Sequence, residues 1–268
     1  MNRCIALAAV KQNGMCLENL PYEFKGDNEV VIAAVKRNSN SIKFAHSFMY
    51  SNKSIALMVI KHDGMFIKNH KEHCHDRVMA LAAVKQNGAV LEFLPDHFKN
   101  DKEIALTAVN SHGSSYRFVS DELKENESII TTAIKSSGYA ISYTSDKIRD
   151  DLYFGKLAVK TDGCALKFLS EKLRDNMKLV KIALSNDGLS LEFASEFIRD
   201  KRNLVNIALN SNGNALEFAS FRLRKDAKIV LEAVKNDGLS LQYAFPLIEA
   251  IYQENETEND QDRSCIVC

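Results

Sequence analysis

One short phrase recurs ten times along the 268-residue chain, and glycine marks nine of the copies. These are Gly14, Gly64, Gly88, Gly113, Gly138, Gly163, Gly188, Gly213 and Gly238, with Ser39 in the remaining slot. The step is 25 residues, shortening to 24 between Gly64 and Gly88. A segment this short cannot bury its own apolar face, so each copy is covered by its neighbours and the chain grows as an array. An array presents open surface, which favours binding over chemistry in an enclosed cleft.

Counting from the glycine as position zero, position −4 is Val, Ile or Leu in every copy. Position −5 is Ala in all but one, where Val59 stands, and position −9 is always apolar. These spacings place the side chains on one helix face, and the small Ala lets a neighbouring helix approach. The glycine is expected to end that helix in a left-handed conformation, which is cheapest without a Cβ. Beyond it, position three is Leu, Ile or Tyr, and position five is aromatic in eight copies, read as core. Position seven is Ser in five copies (Ser120, Ser145, Ser170, Ser195, Ser220) and Pro in two (Pro21, Pro95), residues that start a short second helix. Asp or Asn at position thirteen, such as Asp27, Asn126 and Asp226, is an expected N-cap for the next long helix. Asn2 holds the matching place ahead of the first copy, which leaves no room for a leading domain in this reading. The predicted fold is an all-α solenoid, right-handed or similar, of about ten helical-hairpin repeats over residues 1–250. A disordered acidic tail is expected over residues 251–268.

Charge steers the chain toward no class of partner as a whole, because 35 Lys and Arg balance 35 Asp and Glu. The tail takes five of the acids within residues 254–263, leaving the body slightly basic. Cys4, Cys16, Cys74 and Cys164 fall within or beside apolar repeat positions and read as small hydrophobes in a reducing compartment. No apolar run approaches the ~18 residues of a membrane span. The apolar start is accounted for by the first repeat helix, and no small-residue cleavage site follows it.

The chain ends Cys265-Ile266-Val267-Cys268, a C-a-a-X box in which Cys265 is the lipidation site. The polar stretch before it supplies the extended, accessible peptide a prenyltransferase needs. Cys268 in the last place points to farnesyl in preference to geranylgeranyl, and no other cofactor is expected. One lipid chain attaches only marginally, and an acidic tail does not add to it. A second contact must come from the repeats or a bound partner.

Other constellations carry competing readings. His70, His73, Cys74 and His75, with Asp76 beside them, are close enough to hold zinc. Yet Cys74 occupies the apolar tenth position, matching Phe98, Leu123 and Ile148, so the favoured reading is a core cysteine with histidines on a helix surface. Basic residues recur at position eleven (Lys99, Lys124, Arg149, Arg174, Arg199, Arg224) and at position −3 (Lys11, Lys36, Lys61, Lys85, Lys135, Lys160, Lys235). Either row would form a stripe for lipid head groups or another acidic ligand. The plainer reading is a solvated edge that favours helix C-termini and pairs with Asp150, Asp175 and Asp200. Nucleic acid is not an expected partner, since the aromatics are assigned to the core and leave no stacking row. No phosphate-cradling loop or nucleophile–base set is visible, so the chain is not expected to be an enzyme. Divergent copies one to three would be the place for a site if it were one.

The phrase at residues 229–244 (IVLEAVKNDG…LQYA) and the one at 213–224 resemble an uncharacterised helical-repeat family, one of the numbered domains of unknown function. The resemblance spans about residues 2–250. It implies no catalytic residue. It does imply a setting, because such proteins are common in bacteria that live inside amoebae and macrophages, and some are injected effectors. On that footing Glu254, Glu256 and Glu258 are similar to a type IV export signal. The C-a-a-X box would be read by a host prenyltransferase. The expected protein is a secreted effector, reaching the host cytosol and then the periphery of a host membrane, where it binds a host protein. Outside that setting it would be cytoplasmic.

Overall fold

A computed structural model describes residues 2–245. The acidic tail and the C-a-a-X tetrapeptide lie outside the described residues. Among those described there are helices and turns and no strand. They form two compact units, residues 2–143 and 144–245.

Every repeat begins with a ten-residue α-helix: Arg3–Gln12, Asn28–Arg37, Lys53–His62, Arg77–Gln86, Lys102–Ser111, Glu127–Ser136, Leu152–Thr161, Met177–Asn186, Arg202–Ser211 and Ala227–Asn236. A six-residue 3₁₀ turn follows, as in Gly88–Phe93, and then a single α-turn, as in Asp96–Lys99. The expected caps start the long helices. Asp27, Asn52, Asp76, Asp101, Asn126, Asp151, Asn176 and Asp226 each accept two backbone N–H groups of the helix they precede. Lys201 holds that place before Arg202–Ser211 and supplies no side-chain cap.

The glycines do not act as expected. None of the described residues has a positive φ. The helix is ended instead by the residue just before the glycine, whose backbone is extended. At Asn87 the N–H donates to the Ala83 carbonyl, closing the helix, while the side chain accepts from Ala89 N–H, opening the 3₁₀ turn. Asp162, Asp187, Asn212 and Asp237 repeat this double cap.

What the glycine provides is closeness. A Cβ on Gly64 would stand 2.6 Å from the Ala83 carbonyl oxygen, one on Gly163 2.6 Å from that of Ala183, and one on Gly213 2.5 Å from that of Ala233. Gly14, Gly88, Gly113 and Gly188 press as tightly on the carbonyls of Ala34, Ala108, Ala133 and Ala208. Each of these seven glycines therefore packs on position −5 of the next repeat. Ser39 breaks the glycine column, and the residue that follows it in the same register is Val59, the break in the alanine column.

Positions −4, −5 and −9 form the core, as Ile104, Ala108 and Val109 show, all fully buried. Position three joins them: Leu91, Tyr116, Leu166, Leu191 and Leu216 are buried. The position-five aromatics are not core. Phe93, Phe118, Phe168, Phe193 and Phe218 are half-buried, because they stand at the edge of the 3₁₀ turn. Cations cover several rings, with Arg117 4.4 Å over Phe118 and Lys68 4.6 Å over Phe93.

Polar rungs tie neighbouring repeats together. The carbonyl of position eleven accepts from the N–H of position seven in the next repeat, as Lys99 accepts from Ser120 and Arg174 from Ser195. Ser170, Ser195 and Ser220 cap their own short turns and also donate to Asp150, Asp175 and Asp200 of the preceding repeat. Ser120 makes only the second kind of bond, to Asn100. A basic residue at the start of one long helix bonds the N-cap aspartate of the next: Arg3 to Asp27 at 2.8 Å, Arg77 to Asp101 at 3.0 Å, Lys53 to Asp76 at 3.1 Å, and Arg202 to Asp226. The Arg3 hydrogen bond holds the Asp27 carboxyl below its ordinary range, as Arg202 does for Asp226.

Gly163→Ala is expected to cost about 1–3 kcal/mol, the usual range for forcing extra atoms into a filled contact. Gly238→Ala, where an added Cβ meets nothing within 4 Å, is expected to be neutral. Urea unfolding midpoints of the two variants against the parent chain make the comparison.

Candidate binding face

The histidine-rich segment sits where the 24-residue step removes one residue, and its short turns are redrawn as Phe66–Asn69 and Lys71–His73. Cys74 is buried, as expected. The histidines do not decorate a surface together. His73 is buried at 3% exposure, with Nε2 2.6 Å from the Tyr50 carbonyl oxygen. His70 stacks on Phe66 at 4.0 Å and on Tyr50 at 4.6 Å. His75 lies parallel to His97, 6.1 Å away. The deletion draws the loop inward and leaves these side chains in separate contacts. Among the described residues no three metal-ligating groups converge. Burial holds the His70 imidazole below its ordinary 6.5.

The position-eleven row is partly satisfied. Lys99 pairs with Asp96 at 3.1 Å, Lys124 with Asp121 at 2.6 Å, and Arg149 with Asp146. Arg174 and Arg199 stand 3.9 and 4.0 Å from Glu171 and Glu196. These acids, three residues earlier on the same turn, take the place of the expected Asp150, Asp175 and Asp200. Asp150 accepts from Ser170 and Lys172, and Asp200 from Ser220 and Arg222, which keeps both carboxyls below their usual range. Arg224 has Phe221 where the acid would stand and makes no ion pair among the described residues. The row is recessed as well, its paired side chains keeping only 25–35% exposure, and the Nε of Arg149, Arg174, Arg199 and Arg224 is buried without a hydrogen-bond partner.

The second row differs in both respects. Lys11, Lys36, Lys61 and Lys85 are exposed and make no hydrogen bond or ion pair with described residues. They stand along the outer face of successive long helices in the first compact unit, and that face is grooved. One groove, of about 520 Å³, lies between Leu7, Lys11, Ile32 and Lys36. A second, of about 810 Å³, lies between Leu81, Lys85, Leu106 and Thr107. Both have the same floor, position −7 of the repeat. Through the first five repeats that position is Leu7, Ile32, Leu57, Leu81 and Leu106, all half-buried.

In the second compact unit the matching groove is lined by Arg202, Asn206, Lys228 and Leu231. There position −7 is Lys156, Lys181 and Asn206, with an exposed Leu231 in the last repeat. The position −7 column escaped the sequence reading because four of its ten members are polar. Its signal was the switch itself, apolar in five consecutive copies and polar in the next four.

For nucleophilic chemistry Cys164 is poorly placed. Cys164 donates to Asp187 at 3.1 Å, and burial together with that carboxylate pushes its pKa up to about 12. Such a thiol stays protonated near neutrality and is a weak nucleophile.

The family model "Domain of unknown function (DUF4116)" matches residues 2–49, 52–99, 76–124, 101–149, 156–199 and 201–248. Each match covers about two repeats. No curated protein and no solved structure matches the chain.

Because the unfolded chain binds the His70 proton more readily than the folded one, stability rises with pH up to the ordinary value of 6.5. It is therefore lost as pH falls below that value. Urea midpoints taken at about pH 7 and about pH 5 should differ less in His70→Phe than in the parent chain.

Proposed function

The chain belongs to the DUF4116 family of helical repeats, and from that premise we propose that it is a non-catalytic, protein-binding scaffold held at a membrane by a lipid on Cys265. The observation that carries the binding role is the open outer face of the long helices, where unpaired lysines border grooves in the first compact unit. A repeat array suits this role, since each unit adds surface in the same register.

Support for the tether is the tetrapeptide Cys265-Ile266-Val267-Cys268, which a prenyltransferase reads when it is C-terminal. In this reading a bacterium exports the protein, with Glu254, Glu256 and Glu258 in the export signal, and the host cell attaches farnesyl. The single chain confers marginal, reversible attachment, and the bound partner supplies the remaining hold.

A second reading draws on the same unpaired lysines. A soluble array would use them, with Lys99, Lys124, Arg149, Arg174, Arg199 and Arg224, to bind lipid head groups or another acidic ligand.

Expression of the tagged full-length chain in a eukaryotic cell, beside Cys265→Ser, separates the two. The tethered scaffold requires a farnesyl-sized mass gain, loss of Ile266-Val267-Cys268, and membrane recovery that disappears in the serine variant. An unmodified C-terminus with equal cytosolic recovery of both chains overturns the tether and leaves the soluble reading.

A further inference from the structure

We infer that the grooved outer face of the first compact unit docks an acidic, amphipathic helix of a partner protein, lying across the long helices of repeats one to five. The inference rests on the scaffold reading and specifies where the partner sits and what it is made of.

The chemistry of the face selects the occupant. Its floor is apolar at one position per repeat (Leu7, Ile32, Leu57, Leu81, Leu106), and each residue is half-buried. One turn further along the same helices, Lys11, Lys36, Lys61 and Lys85 stand exposed and make no ion pair with described residues, and the acids that line the same grooves, Glu29 and Glu103, are already held by Arg3 and Arg77. Burying the floor calls for apolar side chains from the ligand, and the unpaired charges call for carboxylates along one of its edges. Because the floor is recessed below the lysines, it suits a ligand with projecting side chains. A bilayer surface is smooth and meets residues that protrude.

Spacing distinguishes a helix from an extended strand. Packed helices stand about 8–10 Å apart, so floor residues recur at about that interval. A helix rising 1.5 Å per residue returns the same face after seven residues, about 10.5 Å. A strand returns the same face every second residue, about 6.6 Å or about 13 Å, and fits neither way. Four steps from Leu7 to Leu106 correspond to a partner helix of about 21–27 residues. In the second unit the floor is Lys156, Lys181 and Asn206 before a single exposed Leu231, so a continuous apolar floor is confined to the first.

The test is selection of a displayed, unbiased library of helical peptides on the full-length protein. Enriched peptides should carry apolar residues at intervals of about seven with Glu or Asp along one edge. Lys36→Glu combined with Lys85→Glu, both exposed positions, should weaken the selected peptides at least about tenfold, while Lys160→Glu in the second unit leaves them unchanged. Peptides that bind both charge variants equally would overturn the groove and leave the scaffold reading standing. No enrichment at all would overturn both. Three further results would assign the face to a different occupant and sink the inference. These are competition by a synthetic peptide of residues 246–268, a concentration-dependent dimer abolished by the two Lys→Glu changes, and flotation with anionic vesicles abolished by them.

Discussion

The structure depends on one close approach repeated down the chain, a glycine against the alanine carbonyl of the next repeat. Only when both residues lack bulk can the 3₁₀ turn of one repeat lie against the long helix of the following one. Once it does, the apolar residues at positions −4 and −9 fall into a shared core within each unit. The polar rungs come with the same alignment. Ser195 reaches Asp175 and Arg77 reaches Asp101 because the repeats are already pressed together at their glycines. These exposed ion pairs add little individually. Their effect is to hold register, since Asp27, Asp76, Asp101 and Asp226 are each at once the cap of their own helix and the partner of its predecessor.

That arrangement also decides which charges are free. Acids at position eight hold the cation of position eleven on their own short turn, and those at position thirteen hold the cation at the start of the preceding long helix. Lysines at position −3 emerge on the opposite, outer side of the long helix, beyond reach of those acids. A chain with no net charge thus presents a basic edge in its first unit, produced by where its carboxylates are spent.

Much of the fold was legible because a fixed period is a strong signal. The ten long helices, their Asn and Asp caps and the buried columns at −4, −5 and −9 follow from spacing alone. The glycine was read for the wrong property. A glycine after a helix fits a left-handed cap or a tight contact equally well, and only the position of the Ala83 or Ala183 carbonyl distinguishes them. Burial of His73 came from the one-residue deletion, whose effect on a loop has no sequence rule. The aromatics at position five were misplaced because apolar character was taken for depth, whereas a ring at a turn edge stays half-covered beneath a cation. At the candidate site the basic rows were visible, but which row was already paired depended on the acids three residues away in space and sequence.

Nearly every side-chain bond between the described repeats joins residues 20 to 26 positions apart, which places both partners in adjoining repeats. Whole repeats can then be gained or lost by recombination without leaving any partner stranded. The segment at Lys71–His73 shows that even a lost residue is absorbed within a single turn. Length in such a protein can change while every joint stays the same, so descent can adjust how far the array reaches, with stability following the number of joints.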